Sequence, residues 1–199
     1  AVGRIDLAGR DLTEQMSRLL MEEGLTLLGS AGAEIVREIK EQCCYVAESA
    51  EEGREGRCES VEFELPDATI VQVGSSRVRC PEALFQPCRL LGRDISGIQD
   101  LCHTTIGRCD IDVRRDLMDN IVLSGGTTMF KGLPQRLKAE LQRLCPPTIT
   151  PKVIAPEERK YSVWIGGSIL SSLTTFQTQW ITRKDYDECG SGIVNSKCF

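Results

Sequence analysis

The chain has 199 residues, of which 41% are hydrophobic and 27% charged, with a net charge of −5. That length gives one large domain or two small ones with a sizeable core, and the composition is that of a soluble globular protein. The negative balance argues against general nucleic-acid binding, which needs clustered Lys and Arg, and no apolar run approaches the roughly 20 residues that span a bilayer.

Val2 to Leu7 reads as a strand. Asp11 is placed to cap a helix carrying Leu12, Met16, Leu19 and Leu20, an amphipathic stripe that Gly24 is placed to end. Ile35, Ile39 and Cys43 give a second helix the same spacing. Ala47 to Ser60 is charged and contains glycines, which predicts a solvated loop or poorly ordered insert. Val61, Phe63 and Leu65 alternate with Glu62 and Glu64, the pattern of a strand with one wet face. Pro66-Asp67 turns the chain, and Ile70 to Val73 returns as the partner strand.

Helical segments follow around Ile98 to Ile106 and Ile111 to Met118, with Arg114-Arg115 on a solvated face. Ile121-Val122-Leu123 predicts a short buried strand that stops on Ser124-Gly125-Gly126. Leu133, Leu137, Leu141 and Leu144 mark another amphipathic helix, halted by Pro146-Pro147. Val153-Ile154 reads as a strand ending at Pro156. Val163 to Leu173 is apolar around much of its circumference, which for a helix means burial between two surfaces. Thr182 to Glu188 is a short polar helix.

The chain has ten cysteines, with no CxxC pair and no histidine pair nearby, so zinc is not expected. AVGRIDLAGR lacks a signal-peptide pattern, and an intracellular chain with reduced thiols is expected. Cys43, Cys44, Cys80 and Cys109 lie in apolar patterns and read as small buried hydrophobes, and Cys198 as exposed. His103, the single histidine, has no candidate nucleophile near it and reads as structural.

The strand ending on Gly125-Gly126 carries the strongest functional signal. Two glycines let the backbone turn sharply and approach a ligand with no Cβ in the way, and ligands of α/β sheets bind outside the carboxyl ends of strands. By itself the pattern also fits a ligand-free turn. It is joined by the SGGTTMF run, by Asp6 to Leu12, by Glu34 to Glu41, by Pro81 to Pro87, by Ala155 to Leu170 and by Lys197-Cys198-Phe199. Together these resemble the actin family in order along essentially the whole chain, with slippage between Ala47 and Val61 and near Leu90.

The resemblance implies a mixed α/β, actin-like (ribonuclease H-like) larger lobe, matched to the carboxyl-terminal half of an actin and therefore incomplete. Residues 1–7 and 93–161 would form its inner subdomain, 8–92 a small outer α+β subdomain, and 162–199 a helical tail that in actin joins the smaller lobe. Gly9 and Gly126 match glycines that flank the nucleotide, and Lys40 and Glu41 a pair reaching base and ribose. Thr127, Met129 and Phe130 match the adenine face, and Lys160 the pocket rim. Phe130 stands where actin usually has tyrosine. Taken alone, Lys40-Glu41 reads as an exposed helical face.

In the family the phosphate hairpins, cation-holding aspartates and water-positioning residues match nothing here. The expectation is therefore weak ATP or ADP binding, a divalent cation only through the nucleotide, no catalytic residue and no autonomous ATPase activity. A groove for protein partners would be lined by Ile165, Ile169, Leu170, Leu173 and Thr175, with Gln179 where the family has methionine. Actin's apolar plug falls at Cys88 to Arg93 and carries two arginines, a costly placement in a dry contact. With the covering half absent, an open sheet edge and a bare Val163–Leu173 helix would follow, so the chain is expected to be a fragment or to need a partner.

The leading functional expectation is a divergent, cytoplasmic, actin-like structural or scaffolding protein of the cytoskeleton, with actin-type protein partners and neither nucleic acid nor membrane. The alternative is the carboxyl-terminal part of an actin-type ATPase completed by an upstream segment or partner chain. A thiol-rich metal or redox module is the third class.

Overall fold

The computed structural model describes residues 1–92 and 94–198, so Arg93 of the expected plug and Phe199 of the terminal motif lie outside the described residues. The chain divides into two compact units, Ala1–Lys160 and Tyr161–Phe199.

The first unit is built around three amphipathic helices. Helix α1 (Gly9–Glu22) buries Leu12, Met16, Leu19 and Leu20. Helix α2 (Gly29–Cys43) buries Val36, Ile39, Lys40 and Cys43, and packs against α1. Asp11 is not the cap of α1. It sits in the first turn and its carboxylate reaches back to accept the Ala8 N–H at 3.0 Å, so the helix starts at Gly9. The other end follows expectation. Gly24 has φ +89°, its N–H bonds the Met21 carbonyl at 3.0 Å, and the Leu25 N–H bonds that of Leu20 at 2.8 Å.

The charged stretch 47–60 contains a helix that composition does not predict, α3 (Ala50–Glu55). Ser49 Oγ accepts the Glu52 N–H, and Gly56 ends the turn in the left-handed region. Gly53 then lets α3 lie against Glu82, whose carboxylate a Cβ there would overlap. Strands β1 (Val61–Glu64) and β2 (Ile70–Val73) pair antiparallel, Val61 opposite Val73 and Glu64 opposite Ile70. Their turn runs through Pro66-Asp67, with the Asp67 carboxylate accepting the Thr69 N–H.

Helices α4 (Ser76–Glu82) and α5 (Pro87–Leu91) complete this region. Leu90 and Leu91 of the expected plug are half-buried against the core, whereas Arg89 is exposed. Helices α6 (Ile98–Gly107) and α7 (Ile111–Met118) stand where their periodicity places them. Strand β3 (Ile121–Val122), helix α8 (Leu133–Leu144) and strand β4 (Val153–Ile154) form a crossover unit, with β3 and β4 parallel. The core joins Leu12, Met16, Ile39, Phe85, Leu133, Leu137 and Leu141.

Three further expectations in this unit are corrected. Residues 2–7 form no strand, because no neighbouring strand pairs with them among the described residues. The strand at Ile121 is two residues long and pairs with β4 alone among those residues, and Val122, on a face that none of them covers, is 61% exposed. Cys109 is half-buried at the α6–α7 corner, unlike Cys43, Cys44 and Cys80, which are buried.

The second unit starts with α9 (Ser162–Ser172), continues through a 3₁₀ segment (Thr174–Gln179), and ends in α10 (Arg183–Cys189) and α11 (Ile193–Lys197). Thr182 and Asp185 cap α10 reciprocally. Lys197 closes the unit, its Nζ donating to the Trp180 carbonyl at 3.0 Å and the Asp185 carboxylate at 2.8 Å. Helix α9 is not buried between two surfaces, and Val163 and Trp164 are 79% and 75% exposed. Its apolar circumference has no covering layer among the described residues of its own unit.

Candidate functional site

Three local devices bring distant segments of the first unit around one hollow. The first is the amino end of α1, where Gly9 leaves its carbonyl open to side chains. Thr13 Oγ1 donates to it at 2.9 Å, and Lys40 Nζ donates both to that carbonyl at 2.9 Å and to Thr13 Oγ1 at 2.8 Å. Lysine from α2 is thereby tied to the first turn of α1.

The second device is a strap after α2. Tyr45 makes a parallel bridge with Lys131, and the Val46 N–H bonds the Lys131 carbonyl at 2.8 Å. Gly132 has φ +81°, and a Cβ there would overlap the Val46 carbonyl, so glycine is required for the strap to close. The third is the glycine turn after β3. Gly125 (φ +94°) donates to the Arg159 carbonyl at 2.8 Å, and Arg159 Nε returns to the Thr128 carbonyl at 3.2 Å. That exchange sets the 3₁₀ turn Glu157–Lys160 beside the 3₁₀ turn Gly126–Met129.

The resulting hollow has a volume of about 760 Å³, within the range of about 300–1,000 Å³ common for small-ligand sites. Gly9, Lys40, Glu41, Gly126, Thr127, Met129, Phe130 and Lys160 all line it. Met129 is 38% exposed, whereas Phe130 is 8% exposed and is partly absorbed by the core. At Gly126 a Cβ would meet nothing within 4 Å, so a ligand can approach this backbone directly.

Six further residues line the hollow that the sequence did not assign to it: Arg10, Thr13, Ser30, Ala33, Glu34 and Arg37. A signal for most of them exists in helical spacing. Ser30, Ala33, Glu34, Arg37 and Glu41 recur at intervals of three or four along the α2 face that carries Lys40, and Thr13 lies one turn after Gly9. Arg37 is gripped by Glu34 and Glu41, and that pairing lowers the Glu34 carboxyl from its ordinary range. Four basic side chains thus line the hollow against two carboxylates, in a chain that is negative overall. Lys40 is 6% exposed, and burial lowers its ammonium pKa.

The partner-groove residues lie in the second unit. Ile165, Ile169 and Leu170 are on α9, but Leu173 is the residue that ends the helix and Thr175 is in the 3₁₀ segment beyond it. They do not form a single helical face, because the backbone turns at Leu173. Ile169, Leu170 and Leu173 are 59%, 55% and 46% exposed.

Fold and hollow together define a mixed α/β protein with small sheets and a ligand-sized cavity at a strand-to-helix glycine turn. A sequence model of the actin family matches residues 1–199. The chain belongs to the actin family, and its α/β build fits an actin-like fold.

Proposed function

We propose that this actin-family chain is a divergent cytoskeletal structural or scaffolding protein whose hollow takes the adenosine part of ATP or ADP. The observation that carries this reading is the meeting of Gly9, Lys40, Glu41 and Gly126, from three separate segments, around one cavity. The surfaces suit a nucleoside: Met129, Phe130 and Ala33 offer apolar area to a base, Glu41 offers a carboxylate to ribose hydroxyls, and Gly126 exposes backbone. Binding through these groups is weak, because phosphates contribute most when a dedicated anion nest surrounds them. A divalent cation enters only with the nucleotide, and no hydrolytic role is assigned to these side chains.

The proposal extends to organisation and place. Residues 1–7 and 93–161 correspond to the inner and 8–92 to the outer subdomain of actin's larger lobe, with 162–199 as its tail. The working compartment is the cytoplasm and its cytoskeleton, and the partners are proteins of actin type that meet the apolar residues around Ile165 to Leu173. No helix among the described residues is long and apolar enough to cross a membrane.

Calorimetric titration of the full chain tests the nucleotide reading. ATP and adenosine compete for one site while inorganic triphosphate does not displace them. Absence of heat with both ATP and adenosine at millimolar concentration would sink the assignment.

A further inference from the structure

Lys40 is bonded in a way that charge alone does not explain. Both groups that its Nζ reaches, the Gly9 carbonyl and the Thr13 hydroxyl, are neutral. No carboxylate pairs with it among the described residues, although the residue is 6% exposed. A buried ammonium without a counter-ion is costly.

The valences of the nitrogen account for this arrangement. Cε takes one tetrahedral position and the two hydrogen bonds take two more. In a neutral amine the fourth position is a lone pair, and every N–H is satisfied. In the ammonium form it is a third N–H, with no acceptor among the described residues. The wall of the hollow therefore accommodates the neutral amine without loss.

We propose that Lys40 is a nucleophilic lysine, a covalent modification site inside the hollow for aldehydes that bear an anionic group. Arg10 and Lys160 on the same lining draw the anion, whereas the Arg37 charge is already matched by Glu34 and Glu41. The lone pair on Nζ attacks the carbonyl carbon, and the carbonyl π pair moves to oxygen. Transfer of an amine proton gives a carbinolamine, and loss of water leaves an imine. No oxidant or reductant is consumed. The imine gives up both N–H bonds, but the Gly9 carbonyl keeps the Thr13 hydroxyl as donor at 2.9 Å.

The groups that set the charge on Lys40 come from several elements. Burial is the largest influence and favours the neutral form, and the Arg37 guanidinium acts in the same direction. The Cys80 thiol of α4, the Glu41 carboxylate and the Cys44 thiol act against it. A buried lysine of this kind is the usual setting for a reactive amine.

The test treats the full chain with pyridoxal 5′-phosphate at about pH 8, below the ordinary lysine range, followed by borohydride reduction and peptide mapping. Lys40 is expected to be labelled several-fold faster than the exposed Lys131 and Lys138. Labelling of Lys40 no faster than those two overturns the proposal. Lys40→Gln keeps a neutral N–H donor at this place, and is expected to remove the rapid phase while the circular dichroism melt is retained; a rapid phase that persists also overturns it. An added arm separates this inference from the nucleotide reading. Slowing by millimolar ATP supports an adenosine site in the same hollow, and rapid labelling of Lys40 unaffected by ATP removes that reading while leaving the reactive lysine in place.

Discussion

Arg136 and Glu82, 54 residues apart in sequence, face each other as a two-pronged ion pair at 3.0 and 2.9 Å. Their side chains are 1% and 0% exposed. The guanidinium also donates to the Ala47 carbonyl at 3.1 Å and to Glu140 at 2.7 Å, and lies 4.8 Å from the centre of the Phe85 ring. One residue of α8 thus fastens α4, the approach to α3 and the core that supports the hollow.

Removing Glu82 takes from the buried Arg136 its two-pronged partner and leaves it with Glu140, at the margin of the core, as its remaining carboxylate. Glu82→Ala is expected to cost about 3 kcal/mol, the lower end of the range for breaking a buried ion pair, because Glu140 still faces the guanidinium. The double change Glu82→Leu with Arg136→Met is expected to recover most of that loss, because neither member of the pair is then left buried and Glu140 keeps Arg143 as its partner. Urea denaturation of the three proteins measures both quantities, and a Glu82→Ala variant as stable as the parent would count against the pair's role.

Glu23, just past the end of α1, gathers the chain before α4. It accepts the Gly74 and Ser76 N–H groups and both the Ser75 and Ser76 hydroxyls. Burial alone raises its pKa, but the bonds from Ser76, Ser75 and Gly74 outweigh it and the net shift is downward. A carboxyl with a depressed folded pKa contributes stability that is complete above its unfolded value, about 4.3, and is lost as pH falls through the lower folded value. Glu23→Gln should therefore flatten the acid limb of the stability profile below about pH 4.3. Parallel pH melts that coincide for the two proteins would contradict this.

Gly126 separates folding from binding. A side chain placed there meets nothing within 4 Å, so Gly126→Val should keep its melting temperature while filling the approach to the hollow. Nucleotide affinity is expected to fall roughly tenfold, which corresponds to about 1.4 kcal/mol. Calorimetry of the variant checks this, and unchanged affinity would remove Gly126 from the site.

Among the described residues, Ala68 is the one non-glycine with positive φ, at +64°, in the turn between β1 and β2. The left-handed region costs such a residue roughly 1–2 kcal/mol, whereas glycine loses roughly 0.5–1 kcal/mol of chain entropy on folding. Ala68→Gly is accordingly expected to gain about 0.5–1 kcal/mol. A thermal melt that rises by a few degrees is the expected result, and a fall would show that the turn is relaxed with alanine.

Part of this structure was readable because its information is local. The stripes Leu12-Met16-Leu19-Leu20 and Leu133-Leu137-Leu141, the Gly24 stop and the alternation at Val61 to Leu65 each depend on residues a few positions apart. Gly126 was marked by the strand that ends on a glycine pair, whereas Gly9 and Lys40 came from the family resemblance, and nothing in their own spacing joined the three. Arg136 was hidden for a related reason. It sits beside Leu137 on the buried side of α8, where a charged residue reads as surface until its partner is known.

The sequence by itself determined which segments are amphipathic helices, where the hairpin turns, that Gly24 stops the first helix, and the family. Local periodicity and turn chemistry suffice for the first three because the chain meets itself within a turn or two. Tertiary structure alone decided that the charged insert packs at Gly53 against Glu82, that Val2 to Leu7 is not a strand, and that Lys40 lies against Gly9 and Thr13. In each case the deciding partner comes from a distant segment or is a missing neighbour, and burial then sets the cost of leaving a polar group alone.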